Sequence, residues 1–159
     1  MNISNVISEK ISGIDWHRIT EIINERGYAL VLQFLPAQYC EELIHEYDNS
    51  HLYRKTITME RHGFGLGEYK YFKYPLPDLI QTIRTEIYPK LAPVANTWMK
   101  VLNIERQFPN NFDELQRLCH ENNQTKPTVL ILKYGKGGHN TLHQDLYGDI
   151  FSLFNWLYS

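Results

Sequence analysis

The residues in this sequence best suited to chemistry are a histidine and a carboxylate two positions apart, in Thr141-Leu-His-Gln-Asp145. Along an extended chain successive side chains alternate faces, so residues two apart point the same way. His143 and Asp145 would then project together, with Gln144 on the opposite face. One imidazole nitrogen and one carboxylate oxygen on a rigid strand can take adjacent positions around an octahedral metal ion. A second histidine from elsewhere would complete the two-histidine, one-carboxylate face that holds non-haem Fe(II) and leaves three positions open. The tripeptide alone does not fix such a function, because the third ligand is not specified by it. His139, four residues before His143 on an extended or looped chain, reads as a loop histidine rather than a ligand.

A pair of ligands needs rigid elements behind it. Lys126 to Tyr134 is the strongest strand signal in the sequence, Gly135-Lys-Gly-Gly138 a loop, and Asn140 to Leu146 a second extended segment. Upstream, Arg54 to His62 has extended propensity and Gly63-Phe-Gly-Leu-Gly67 is a glycine-interrupted turn. Glu68 to Tyr74 alternates aromatic and polar residues, which predicts a hairpin ended by Pro75 and Pro77. Residues 1–50 read as helical with one extended break. Ile14, Trp16, Ile19, Ile22 and Ile23 recur at helical spacing up to Gly27, and Tyr28 to Leu35 is a β-type run ending at Pro36. A helix follows from Pro36 to Tyr47 with Leu43, Ile44 and Tyr47 as its apolar stripe. A longer helix runs from Pro77 to Asn103 with Leu79, Ile83, Ile87, Leu91 and Ala95 on one face and a kink expected near Pro89 and Pro93. Phe112 to Cys119 predicts a further short helix.

Composition bounds the class. With 159 residues, 43% hydrophobic and 21% charged, the chain suits one soluble globular domain rather than a disordered segment. The formal charge is −2, so no global positive field attracts nucleic acid and any such contact requires a local patch. No apolar run approaches the roughly 18 residues of a membrane span, and the first residues lack the basic and apolar regions of a signal peptide. Cys40 and Cys119 stand in unrelated contexts, which argues against a disulfide framework or a structural zinc site and for a cytoplasmic home.

The segment from Val129 to Asp149, Val-Leu-Ile-Leu-Lys-Tyr-Gly-Lys-Gly-Gly-His-Asn-Thr-Leu-His-Gln-Asp-Leu-Tyr-Gly-Asp, resembles the metal-binding strand pair of the 2-oxoglutarate-dependent Fe(II) oxygenase superfamily. Within it the chain resembles a prolyl-hydroxylase-like bacterial group described as oxygenases for oxidative demethylation of damaged DNA. Met59 to Pro77, Tyr88 to Met99 and His143 to Gly148 resemble stretches of that group in the same order, and the likeness runs from about residue 20 to 151. The resemblance implies an α+β fold in which N-terminal helices support a double-stranded β-helix of the jelly-roll, cupin-like kind, here incomplete. It implies Fe(II) as cofactor, 2-oxoglutarate as cosubstrate decarboxylated to succinate, and ascorbate as an accessory reductant. It makes His143 and Asp145 iron ligands and places the hydroxyl of Tyr134 near the cosubstrate. Arg61, His62, Tyr69 and Tyr71 fall in a segment that would line the mouth of the site, with Arg61 and Tyr69 as substrate contacts, unless the hairpin simply turns one aromatic face to the core.

The same resemblance expects a distal histidine and a carboxylate-binding arginine after Asp145, where fourteen residues remain. The likeness fails after Phe151. Codons for Ser152-Leu-Phe-Asn-Trp-Leu-Tyr158, read one base earlier, can encode Phe-Pro-Val-Gln-Leu-Val-Ile, which restores the expected pattern and implies a frame change there. The single domain then divides into residues 1–125, mainly helical support with a hairpin near 53–74, residues 126–151 with the first core strands, and an aberrant tail, 152–159. Such a truncated chain is expected to be inactive and to self-associate through open sheet edges. Its substrate, whether protein, nucleic acid or small molecule, is left open. A non-catalytic interaction domain with a vestigial His-x-Asp is the alternative, and a cupin-like metal protein of other chemistry is a third.

Overall fold

The computed structural model describes residues 3–143. Asp145, the end of the extended segment predicted from Asn140 to Leu146, and the tail 152–159 lie outside the described residues. Of that segment's described part only Asn140 is in a strand, and the chain bends at Leu142, so His143 is not on the strand expected for it. The architecture is α+β, with helices and two small antiparallel sheets. The chain divides into two compact units: one formed by the stretches up to Ala37 and from Asp78 to Asn123, the other by Gln38–Pro77 and the stretch from Gln124.

The first unit is helical. Helices α1 (Ile3–Ser12), α2 (Trp16–Arg26), α4 (Asp78–Val101) and α5 (Phe112–Glu121) compose it. The stripe expected on the long helix is present: Leu79, Ile83, Ile87, Leu91 and Ala95 are all buried in α4. Helix α1 packs along α4 and buries Ile7 and Ile11. Each such side chain contributes roughly 1.5–3 kcal/mol on leaving water. Polar links pin the same pair of helices, with Ser8 Oγ donating to Glu86 and Thr82 Oγ1 to Ser4 Oγ at 3.0 Å. Pro89 and Pro93 lie inside α4, which nevertheless continues unbroken to Val101. Thr97 Oγ1 donates to the Pro93 carbonyl at 2.9 Å one turn on.

The ends of α2 follow from the residues there. The Asp15 carboxylate accepts from the Arg18 amide at 3.0 Å, and Gly27, in the left-handed conformation, returns its N–H to Ile23 at 2.8 Å. Beyond Gly27 the β-type run expected over Tyr28–Leu35 does not form: these residues are irregular, and Tyr28, Leu30 and Leu32 are exposed. A β-type run is stabilised only by a partner strand, it pairs with none of the described strands, and Gln33 turns the chain with φ +53°. On the other side of α4, the Tyr88 hydroxyl donates to Pro109 at 2.8 Å and the Arg84 guanidinium lies 4.7 Å over the Phe112 ring, seating α5. Burial pushes up the Cys119 thiol, opposed by the nearby Arg84 charge.

The second unit begins with α3 (Ala37–His45) and two 3-10 turns, Glu46–Asp48 and Ser50–Leu52. Here the expected stripe is corrected in one place: Tyr39 and Tyr47 are buried, but Ile44 is 72% exposed. A helical turn advances the stripe by three or four positions, and Ile44 lies off the line that joins Tyr39, Leu43 and Tyr47. A hairpin forms from β1 (Tyr53–Thr58) and β3 (Glu68–Phe72), but its first arm is shorter than predicted, since Met59–His62 is a 3-10 turn rather than extended. It does not stand alone. Strand β4 (Leu130–Lys133), shorter than the predicted run, pairs antiparallel with β3 and completes a sheet of order β1-β3-β4. A second ladder, β2 (Gly65–Leu66) with β5 (His139–Asn140), lies beyond its end. None of the described helices is long and apolar enough to cross a membrane.

Tyrosines pack this sheet. The Tyr47 hydroxyl donates to Glu68 at 2.8 Å, and the Tyr53 ring lies 4.9 Å from Phe72. Lys70 and Lys133 place their ammonium groups 4.0 and 4.8 Å from the Tyr47 ring. Burial, joined by the Glu68 hydrogen bond and charge, drives the Tyr47 phenol well above its ordinary range. Burial with the Glu46 and Asp48 charges pushes Tyr53 up to about 12. Burial does the same to Tyr88 in the first unit. A tyrosine whose pKa is raised on folding stabilises fully below the unfolded value near 10, and that stabilisation is lost as pH rises through the folded value. Melting temperature should therefore be flat from pH 7 to about 9.5 and fall steeply between about 10 and 12. Absorbance at 295 nm should show a late-ionising class of tyrosines; if every phenol titrates near pH 10 in the folded protein, this packing is wrong.

Candidate functional site

His143 reaches its position through a chain of backbone contacts that starts in the glycine turn. Strands β1, β3 and β4 end together, with Thr58 opposite Glu68 and Glu68 opposite Lys133. Past Thr58 the chain enters a 3-10 turn, Met59–His62, and then β2. The Met59 amide donates to Gly67 at 2.9 Å and the Phe64 amide to Met59 at 3.0 Å, which folds the turn onto the end of the sheet. Past Lys133 the loop is closed by Gly138 N–H to Gly135 at 2.9 Å, and β5 then aligns with β2, Asn140 opposite Gly65 and His139 opposite Leu66. The Thr141 amide donates to the Phe64 carbonyl at 2.9 Å, two residues before His143.

This approach requires glycine. A Cβ on Gly65, whose φ is +123°, would stand 2.2 Å from the His139 carbonyl oxygen. A Cβ on Gly67 would meet the Tyr134 ring at 2.8 Å, and one on Gly138 would meet the Tyr134 Cβ at the same distance. The two glycine segments therefore pack backbone against backbone, with the Tyr134 ring laid over Gly67. Read singly, they suggested a turn and a loop. Their mutual contact is what the sequence reading missed, and the signal for it was the run of alternating glycines at 63, 65 and 67 facing the pair at 137 and 138.

The expected site residues fall on this framework as follows. His143 is exposed, and its Nδ1 lies 2.8 Å from the Thr141 carbonyl oxygen, to which Nδ1–H donates in the neutral ring. That bond leaves the lone pair on Nε2, the arrangement in which histidines ligate metals. Asp145 lies outside the described residues, and among the described residues no group of three or more His, Cys, Asp or Glu side chains is gathered for a metal. Tyr134 follows β4, and its ring lies over Gly67, which places it on the face that carries Leu132 and Tyr69. Tyr69 is half-buried between Ile57 and Leu132 on neighbouring strands and meets Tyr71 edge-on at 5.5 Å. Arg61 is exposed in the 3-10 turn beside His62, whose ring stacks on Phe64 at 5.4 Å. Tyr134, Arg61 and the chain leading to His143 thus meet at one end of the sheet, while Tyr69 and Tyr71 run along its face. His139 is on β5 rather than in the loop, its Nδ1 3.2 Å from the Gly137 carbonyl.

Replacing Gly65 by alanine should cost about 2 kcal/mol or more, through both the clash with His139 and the strained φ. Gly63→Ala, with φ +71° and nothing within 4 Å of its Cβ, should cost about 1 kcal/mol. Hydrogen exchange at the Thr141 amide separates the two: Gly65→Ala should accelerate it, and equal protection in both variants would contradict the packing.

Comparison with known proteins sharpens the picture. A sequence profile of a family described as "oxygenase, catalysing oxidative methylation of damaged DNA" matches residues 67–155. Two uncharacterized proteins from two strains of Mycobacterium tuberculosis are each 42% identical to the chain over 79 residues. That stretch is 50% of this chain and 34% of each relative, so the chain matches about a third of their length. No solved structure matches significantly. The profile starts at Gly67, on which the Tyr134 ring rests, and runs through β3, β4, the glycine loop and His-x-Asp. By that match over more than half its length, the chain belongs to this family of oxygenases.

Proposed function

We infer that the protein is an Fe(II)- and 2-oxoglutarate-dependent oxygenase in which His143 Nε2 and the Asp145 carboxylate supply two of three protein ligands. The observation that carries this reading is the 2.8 Å bond from His143 Nδ1 to the Thr141 carbonyl, on a chain held by Phe64 and the glycine clamp. A backbone carbonyl holding the second ring nitrogen is the usual partner of a ligating histidine and sets the tautomer that a metal requires. The donor set suits Fe(II) in part, with one neutral imidazole and one carboxylate, while no histidine stands after Asp145 to supply the second imidazole the family's site would need. The sheet β1-β3-β4 and the β2-β5 ladder would be the first strands of a double-stranded β-helix.

Bound iron and 2-oxoglutarate would supply the oxidising chemistry, coupled to release of succinate and carbon dioxide. The chain's own residues have narrower tasks. His143 and Asp145 fix the metal's orientation relative to the sheet. Tyr134, rigid against Gly67, offers a phenol to the cosubstrate carboxylate. Tyr69 and Tyr71 give the sheet face an apolar floor, and Arg61 stands exposed at its end as a contact for an anionic substrate. Damaged DNA, the substrate named in the family's description, is the substrate class this reading adopts.

Succinate release from 2-oxoglutarate with added Fe(II), measured on this chain and on a version with the frame restored after Phe151, tests the reading. This chain should be inactive and the restored version active, and the variants are made in the restored version. His143→Ala and Asp145→Ala should each reduce it by more than about a hundredfold, because loss of an outer-shell partner alone costs ten- to a hundredfold. Tyr134→Phe keeps the ring on Gly67 and removes only the hydroxyl. It should raise the KM for 2-oxoglutarate by roughly tenfold with kcat little changed, the worth of one hydrogen bond to a charged group. Unchanged turnover in His143→Ala would refute the assignment; unchanged KM in Tyr134→Phe would restrict that tyrosine to packing.

A further inference from the structure

The 3-10 turn Met59–His62 is anchored at its start and open at its end. Met59 is fully buried, and the Glu60 carboxylate accepts from the Gly67 amide at 3.4 Å. The Phe64 backbone is bonded on both sides, its amide to the Met59 carbonyl at 3.0 Å and its carbonyl to the Thr141 amide at 2.9 Å. Its side chain has no such cover: Phe64 is 44% exposed, and Arg61 and His62 are exposed beside it. A fixed backbone thus presents side chains that contribute little to the core.

Two of these side chains are already arranged. The His62 and Phe64 rings are stacked, with centroids 5.4 Å apart and planes 21° from parallel. Gly63, in the left-handed conformation at φ +71°, turns the chain between them. Aromatic pairs usually withdraw their area from water, and this one leaves it there. Arg61 adjoins the stack in sequence, and Glu60, the one carboxylate of the turn, is engaged at the Gly67 amide. The stack also lies beside the candidate ligand. Thr141, whose amide is bonded to Phe64, offers its own carbonyl to His143 Nδ1 at 2.8 Å, so two hydrogen bonds join the Phe64 backbone to the His143 ring.

We propose that His62 and Phe64 form a stacking platform for an unpaired nucleobase of the substrate, with Arg61 beside it for the adjoining phosphate. Every base has a π-face, so an aromatic platform accepts a base without reading sequence. Enzymes that act on a base must take it out of the helical stack, and aromatic side chains replace the stacking it loses. A guanidinium next to the rings supplies the positive charge that the chain as a whole, at −2, does not. The choice of a nucleobase rests on the oxygenase reading; the stack, its exposure and its place beside His143 do not. Binding is measured without metal or cosubstrate, so the two can fail separately.

The test is fluorescence anisotropy of a labelled single-stranded oligodeoxynucleotide titrated with the full chain at several salt concentrations. Phe64→Ala should weaken binding by about tenfold and leave the slope of log K against log salt unchanged, because stacking releases no counterions. Phe64→Leu keeps an apolar side chain without a flat face and should lose nearly as much, whereas Phe64→Tyr should stay within about twofold of the parent. Arg61→Ala should lower the slope by about 1, and Lys100→Ala, at an exposed position of α4 in the other unit, should not. Exchange of the Thr141 amide, unchanged in each variant, checks that the ladder is intact. A strand of abasic nucleotides should bind the parent about as weakly as the intact strand binds Phe64→Ala. Equal binding of intact and abasic strands by the parent, or parent-like binding by Phe64→Leu, would overturn the proposal. So would absence of oligonucleotide binding by the parent chain. Base-dependent binding without succinate release by the frame-restored version would keep the platform and remove the oxygenase reading.

Discussion

Where a side chain on Gly65 would begin, the carbonyl oxygen of His139 already stands, 2.2 Å from the position of its Cβ. Backbones approach that closely only where one of them carries no side chain. The consequence is a two-residue ladder, β2 with β5, that would otherwise have too few hydrogen bonds to persist. It is buttressed by Thr141 N–H to Phe64 on one side and by the Tyr134 ring over Gly67 on the other. His143 is placed by this contact and not by the three-stranded sheet alone.

The sheet provides the foundation for that contact. Tyr47, Tyr53 and Phe72 fill one face, and the Tyr47 phenol, Glu68, Lys70 and Lys133 form a polar cluster around it. Alternation sends Tyr69 and Tyr71 to the opposite face together with Leu130 and Leu132. One strand, β3, therefore serves both sides: its even-numbered residues join the Tyr47 cluster, and its odd-numbered residues, Tyr69 and Tyr71, line the other face. A shift of one residue in register would exchange the two sets.

Much of this was legible in the residues. The stripe Leu79, Ile83, Ile87, Leu91 and Ala95 has a single helical solution, Asp15 and Gly27 mark the ends of α2, and the aromatic alternation of 68–74 has the period of a strand. Tyr28–Leu35 shows where such reading fails. Its apolar, β-branched and aromatic run has the composition of a strand, but a strand exists only when another strand satisfies its edge, and composition carries no information about the partner. Ile44 failed for a similar reason: its hydrophobicity was read correctly, while the direction of the neighbouring mass was not visible. The site divides along the same line. His143 and its tautomer-setting carbonyl are local, whereas the contact between residues 65 and 139 joins two stretches separated in sequence by the whole of α4 and α5 and follows from three-dimensional closure.

The position of Tyr134 decides how the two faces of this reading are connected. Its ring lies against Gly67, the residue directly before β3, and its Cβ against Gly138, the residue directly before β5, so the side chain contacts the entry to both ladders. A smaller side chain would leave a gap between the turn and the loop, and a larger one would collide with the same backbone that Gly67 and Gly138 keep narrow. The residue is nevertheless 44% exposed, so this packing holds one side of it only. The ring rests on Gly67, and the contacts of its Cβ with Gly138 limit how far it can swing. Packing and chemistry are not competing explanations for Tyr134, because the first creates the rigidity on which the second would depend.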